Sequence, residues 1–204
     1  MGLYRRILFP RLCDLTLDRP HVARRRRALL AEAQGEVLEI GFGTGLNLPC
    51  YPDTVRRLTT VEPNPGMHAL AQRRLRRSPI SVEMRVLEGE QLPFDANSFD
   101  YAVSTFTLCS VAAVERVLAE LYRVLRPGGR LLLLEHGLSP DPAVSRWQRR
   151  LNWLQMWLGD GCRLDHDLRS LLTRQPYSAL HLEQFYLEHT PPTHGYLTQG
   201  VATK

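Results

Sequence analysis

The sequence is almost without lysine. Lys204 is the sole example among 26 Lys and Arg residues, so the formal net charge of +5 rests on guanidinium groups. These arginines are dispersed, and no clustered basic stripe with interleaved aromatics occurs, which argues against a nucleic-acid partner. The densest run, Arg24-Arg25-Arg26-Arg27, would wrap around a helix, because consecutive helical residues turn by ~100°; it reads as a solvated helix end. Cysteine is scarce as well. Cys13, Cys50, Cys109 and Cys162 lie far apart, with no C-x-x-C pair and no histidine at finger spacing, so their spacing indicates neither a metal site nor a disulfide framework. Reduced thiols fit a cytoplasmic protein. No apolar run approaches the ~18 residues that cross a bilayer. Ile7-Leu8-Phe9, ended by Pro10, is too short for a signal peptide, and Gly2 lacks the Ser or Thr at position 6 that myristoylation requires.

What is present is an ordinary globular composition, with 44% apolar and 23% charged residues over 204 positions, the size of one domain. Short apolar runs at 37–40 and 58–61 read as buried parallel strands, and further strands are predicted at 82–87, 99–105 and 131–135. Helices are predicted over 46–57, 65–77 and 111–125, the last stopped by Pro127-Gly128-Gly129. Beyond residue 136 come helices at 140–158 and 165–174, then two alternating segments at 179–187 and 196–202. Joined closely through Thr190-Pro191-Pro192-Thr193, these should pair antiparallel. The architecture expected is α/β: a doubly wound, mostly parallel seven-stranded sheet with an antiparallel C-terminal pair. Residues 1–34 are a helical extension of this single domain.

Glu39-Ile40-Gly41-Phe42-Gly43-Thr44-Gly45 follows the first strand, where open α/β sheets bind nucleotide ligands. The dinucleotide pattern G-x-G-x-x-G fails at Leu46, and no phosphate-cradling G-K-[ST] occurs. Glu62, 21 residues after Gly41, ends the second strand, where an acidic side chain can accept both hydroxyls of a ribose. Glu39 would repel a pyrophosphate and favour an ammonium or sulfonium. A nucleoside without phosphate and with cationic groups fits this pattern.

The segment 37–45 resembles motif I of class I S-adenosylmethionine-dependent methyltransferases. Glu88-Gly89-Glu90-Gln91-Leu92-Pro93-Phe94 with Asn97-Ser98-Phe99-Asp100 resembles their next signature, and Arg123-Val124-Leu125-Arg126-Pro127-Gly128-Gly129 resembles the turn before strand five. Phe9-Pro10-Arg11-Leu12-Cys13-Asp14, Asn47-Leu48 with Tyr51-Pro52, Leu108-Cys109-Ser110-Val111, Leu134-Glu135-His136, and Gly161-Cys162 with Leu164 resemble the small methyltransferase-like proteins that include thiol S-methyltransferases. The resemblance implies a Rossmann-like fold and S-adenosyl-L-methionine as cofactor, with 35–136 as the cofactor-binding core and 137–204 on the acceptor side. It places Glu39, Gly41, Gly43, Gly45 and Asn47 at the motif I loop, and Glu62, Pro63, Asn64 and Met67 beside ribose and adenine. Glu88, Gly89 and Glu90 fall at the adenine, and Ser104 and Thr105 near the methionine end.

The reaction needs a nucleophile held in line and water excluded, and nothing in the pattern calls for a metal. A small-molecule acceptor is expected, with a thiol favoured because it needs only partial ionisation. A phospholipid amine or a quinone precursor is the alternative acceptor, and a non-catalytic cofactor-binding module the alternative function. His136, after the fifth strand, is the base candidate. Cys109 and Cys162 read as small buried residues. Trp147, Leu151, Leu154 and Leu158, widened by Trp153 and Trp157, read as a core-packing stripe. Its alternative is a lid, or a peripheral membrane contact with Arg146, Arg149 and Arg150 along the polar edge.

Overall fold

The computed structural model describes residues 2–87 and 89–204. A π-helical turn at Tyr4–Leu8 leads into α1 (Phe9–Leu17) and α2 (Pro20–Leu30). There follow β1 (Gly35–Ile40), β2 (Val55–Val61), α3 (Pro65–Leu75), β3 (Ser81–Arg85), β4 (Phe99–Thr105), α4 (Val114–Val124) and β5 (Leu125–His136). The chain ends with α5 (Pro142–Leu158), α6 (Leu168–Thr173), β6 (Ala179–Tyr186), the single turn α7 (Pro192–Gly195) and β7 (Tyr196–Thr203).

The seven strands form one sheet in the order β3-β2-β1-β4-β5-β7-β6. β1 pairs in parallel with β2 and β4, β2 with β3, and β4 with β5, while β7 runs antiparallel to both β5 and β6. The expected sheet and its antiparallel C-terminal pair are both present. Chain order reverses between β1 and β4, which opens a crevice at the carboxyl ends of those strands.

The core follows from strand periodicity. Leu131 to Leu134 of β5 are all fully buried, and alternate residues serve opposite faces. Leu131 and Leu133 pack with Val117, Leu118 and Leu121 of α4, whereas Leu132 and Leu134 pack with Leu30, Val37 and Val103. Burying each such leucine contributes roughly 1.5 to 3 kcal/mol, so these two layers lock the register of the central strands.

Several local expectations need correction. No helix spans 46–57. Pro49 and Pro52 remove backbone donors, leaving only a 3-10 turn at Leu48–Cys50 before β2 begins at Val55. The helix expected from residue 111 starts at Val114 after a 3-10 turn at Leu108–Ser110, and it ends at Val124 rather than at the Pro-Gly-Gly turn, which lies within β5. Residues 165–167 stay outside α6, because the Asp167 side chain accepts the N–H of Ser170 as an N-cap. Arg26 is not a solvated end: it is 4% exposed.

The tryptophan stripe is the largest departure. Trp153 and Trp157 are 70% and 72% exposed, and Trp147 is also exposed, while the buried residues of α5 are Gln148 and Asn152. The two buried side chains of this helix are thus amides, while Leu151 and Leu154 of the expected stripe are half-buried. Gln148 accepts the N–H of Ser139 at 2.9 Å and donates to the carbonyls of Gly137 and Thr193, both at 3.0 Å. Asn152 accepts the N–H of Leu164 at 3.0 Å. The loops at 137–139 and 164 and the turn α7 thereby have backbone groups satisfied that burial would otherwise orphan. Among the described residues no helix is long and apolar enough to cross a membrane.

Candidate functional site

A cavity of about 330 Å³ opens at the reversal between β1 and β4 and is partly covered by the N-terminal segment. Its floor is the glycine loop. Gly41 and Gly43 have φ of +66° and +55°, a region that non-glycine residues enter only with strain. A Cβ at Gly41 would also lie 1.9 Å from the Thr107 hydroxyl oxygen, so this position is closed to any side chain.

Glu62 braces the loop from the end of β2. Its carboxylate accepts the N–H of Gly43 at 2.9 Å and that of Asn64 at 2.8 Å. Burial raises its pKa, and these two N–H groups oppose the rise. Asn64 caps α3 by accepting the N–H of Gly66, and its amide donates to the carbonyl of Arg5 at 2.8 Å. That bond ties the N-terminal segment down over the cavity.

Glu39 faces the cavity from the end of β1. It accepts from the Asn47 amide at 2.9 Å and from the Tyr51 hydroxyl at 2.7 Å. Burial nevertheless pushes its carboxyl up to about 7, against those hydrogen bonds and the Arg26 charge. The Asn47 amide nitrogen also donates to Thr105 at 2.9 Å, while among the described residues its Oδ1 is buried without a partner, as is Nε of Arg26. Both side chains line the cavity. An acceptor and a cationic donor are thus left for a ligand to satisfy.

Of the residues singled out from sequence, Glu39, Gly41, Gly43, Asn47, Glu62, Pro63, Asn64, Met67, Gly89, Glu90 and Thr105 line this one cavity. Glu90 also accepts the N–H of Ala113 at 3.1 Å. Gly45 is set back from the wall against the ring of Phe42. Ser104 is fully buried and donates to Glu135 at 2.7 Å, away from the cavity wall. Glu88 lies outside the described residues.

His136 is not on the wall either. Its ring stands 5.0 Å from that of Phe106, which is, and its Nδ1 lies 3.5 Å from the sulfur of Cys109 and 3.7 Å from that of Cys162. Glu135 organises this corner. Its buried carboxylate, raised by desolvation, accepts from Ser104 and from the backbone of Thr107 and Leu108, capping the turn that carries Cys109.

Other wall residues are not assigned to the cavity by the sequence: Phe9 and Cys13, which lie in the 9–14 segment that resembles the thiol S-methyltransferases, Leu17 also from α1, Arg26 from α2, and Arg5 paired with Asp160 at 2.6 Å. They arrive from distant segments, and only the Gly-Asp-Gly sequence at 159–161 marks one of them as a turn. Burial pushes the Cys13 thiol up to about 12, so it faces the cavity protonated.

Residues 38–133 match the family described as "Methyltransferase domain". The human thiol S-methyltransferase TMT1B is 34% identical over 180 residues, covering 84% of this chain and 70% of that protein. A phosphatidylethanolamine N-methyltransferase from Cereibacter sphaeroides is 33% identical over 140 residues, covering 64% of this chain and 68% of its own. Against the thiol S-methyltransferases it matches, the chain spans about two thirds of their length, from 62% to 70%. Among solved structures, a methyltransferase from Thermotoga maritima superposes with a TM-score of 0.70 over 98% of both chains at 20% identity, a likeness of fold.

Proposed function

Because the chain belongs to the S-adenosylmethionine-dependent methyltransferases, we propose that the cavity holds this cofactor and serves methyl transfer to a small, apolar thiol. Groups on the wall fit the cofactor. The Glu39 carboxylate and Asn47 Oδ1, the latter unpaired among the described residues, are acceptors for its ammonium, and Arg26 Nε, likewise unpaired, is a donor for its carboxylate. Glu62 spends one lone pair of each oxygen on Gly43 and Asn64, and a carboxylate offers roughly four such sites, so both ribose hydroxyls have acceptors. Met67, Gly89 and Glu90 remain for the adenine.

When bound, the cofactor supplies a methyl group made electrophilic by a sulfonium. The protein's part is to position the acceptor and exclude water. The carboxylates of the described wall are each engaged by the protein and, in this reading, by the cofactor: Glu39 with Asn47, Tyr51 and the ammonium, Glu62 with the loop and the ribose, Glu90 with Ala113 and the adenine, and Asp160 with Arg5. This pairing is the observation that carries the reading. An amine or hydroxyl acceptor needs a free base to take its proton, whereas a thiol with pKa near ~8.5 ionises enough unaided. Phe9, Leu17, Phe106 and Val111 supply an apolar wall, and the human relative is named for thiol methylation.

The test is calorimetric titration with S-adenosylmethionine and S-adenosylhomocysteine, then S-adenosylhomocysteine release against thiol, amine and phenol panels. Turnover confined to thiols is expected. Turnover confined to amines or quinols would replace the acceptor, and tight binding without any turnover would make the chain a binding module.

One observation favours acceptors delivered from a lipid phase. Leu8 and Leu15 near the N-terminus are exposed, as are Trp153 and Trp157 of α5. The ring of Tyr4 stacks on Trp157 at 6.4 Å, joining the two segments. Exposed Arg6, Arg11, Arg146 and Arg150 belong to the same segments. Apolar and aromatic groups beside arginine suit the interface of an anionic membrane.

A further inference from the structure

Three residues with no part in the cavity wall converge on one point. The sulfurs of Cys109 and Cys162 are 3.5 Å apart, and Nδ1 of His136 lies 3.5 and 3.7 Å from them. They come from the 3-10 turn after β4, the last residue of β5 and the loop after α5. They fall in three of the segments, Leu-Cys-Ser-Val, Leu-Glu-His and Gly-Cys, in which the sequence resembles the thiol S-methyltransferases. From this geometry we infer that Cys109, His136 and Cys162 bind one thiophilic divalent ion of the zinc type, with three protein ligands and a fourth position open.

The edge lengths carry the argument. Around a tetrahedral zinc with Zn–S about 2.3 Å and Zn–N about 2.0 Å, two sulfurs stand about 3.8 Å apart and a sulfur and a nitrogen about 3.6 Å. The observed triangle matches each edge to within about 0.3 Å. A disulfide would bring the sulfurs to about 2.05 Å and would leave unexplained why the imidazole nitrogen is nearly equidistant from both. A catalytic thiol-imidazole pair would have to face the cavity, and neither cysteine does. Two thiols and an imidazole are also the ligand types that select zinc over magnesium or calcium.

Such an ion would tie together the parts that shape the wall. Cys109 precedes Ser110, Cys162 follows Asp160 by two residues, and His136 packs on Phe106, and Ser110, Asp160 and Phe106 all line the cavity. Glu135 holds the Cys109 turn through backbone N–H groups, a pre-formed support of the kind that orients metal ligands. The inference is independent of which acceptor is methylated.

The test uses full-length protein purified without chelator and with any histidine tag removed. About one zinc per chain by mass spectrometry is expected. After chelation and reloading with cobalt(II), thiolate-to-cobalt charge transfer and tetrahedral visible bands should appear. Cys109→Ser and Cys162→Ser should each weaken metal affinity at least tenfold, and Cys13→Ser and Cys50→Ser should leave it unchanged, with circular dichroism reporting folding. If the variants fail to fold, the wild-type cobalt spectrum decides by itself. Wild-type protein that takes up neither metal would overturn the proposal: four titratable thiols would then leave a hydrogen-bonded cluster, and two a disulfide.

Discussion

Glu62 at the end of β2 accepts the backbone N–H of Gly43 in the loop that follows β1, at 2.9 Å. One carboxylate thereby shapes the floor of the cavity and, in the proposed function, holds the ribose. Glu62→Ala is expected to weaken S-adenosylmethionine binding by about 1 to 3 kcal/mol, the range for a charge-assisted hydrogen bond lost at a buried site. Calorimetric titration measures it, and an unaltered dissociation constant would remove Glu62 from the cofactor site.

Gly41→Ala should be more damaging. The new methyl would collide with Thr107, and the positive φ costs a further 1 to 2 kcal/mol, roughly. The double variant Gly41→Ala/Thr107→Ala removes the Thr107 hydroxyl and methyl but leaves its Cβ 2.6 Å from the new methyl, so it relieves the collision in part and its thermal midpoint should fall between those of the single Gly41 variant and the parent. A double variant no more stable than Gly41→Ala would show that the hydroxyl and methyl of Thr107 are not the source of the damage.

Glu39 sets a pH dependence. Its folded pKa is raised to about 7 by burial, against ~4.3 in an unfolded chain, so between these values the folded state binds the extra proton. Stability therefore falls as pH rises through that window. Without cofactor, the thermal midpoint should drop from pH 5 to 7.5. A cofactor ammonium favours the carboxylate form, so the stabilisation given by S-adenosylmethionine should grow over the same range. Glu39→Gln should flatten both trends in part, because burial also raises Glu62 and Glu135. Parallel curves with and without cofactor would separate Glu39 from the ammonium.

The exposed tryptophans make membrane contact directly measurable. Adding vesicles rich in phosphatidylserine should shift tryptophan emission to the blue and cosediment the protein, with the effect falling as salt screens the arginines. Trp153→Ala/Trp157→Ala should lose most of this binding and retain turnover of a water-soluble thiol. Emission unmoved by vesicles at low salt would leave the face without a lipid partner.

Gln148→Leu tests how α5 is held. The substitution orphans the N–H of Ser139 and the carbonyls of Gly137 and Thr193. Each buried orphan costs about 1 to 3 kcal/mol, so a loss of several kcal/mol is expected in chemical denaturation, although leucine is the more apolar residue. A neutral result would mean that water reaches these groups.

Much was legible in the sequence because it is written in neighbouring residues. Strand runs, the helical stripe of α4 and the spacing of Gly41, Gly43 and Glu62 specify elements and a loop through local sterics and side-chain period, which hold wherever the segment lies. That reasoning failed at 46–57, where apolar spacing suggested a helix that two prolines forbid. Periodicity also misjudged α5, because a stripe of Trp and Leu states only that a face is apolar, not what it meets. Tertiary structure decided that Gln148 and Asn152 face inward and the tryptophans outward. It also decided that Cys109, His136 and Cys162, unremarkable by spacing, share one point, and that Arg26 points into the cavity. These outcomes depend on which distant segments the sheet brings together. The sequence by itself determined the sheet, the loop and the class of cofactor, while the acceptor wall was left to long-range packing.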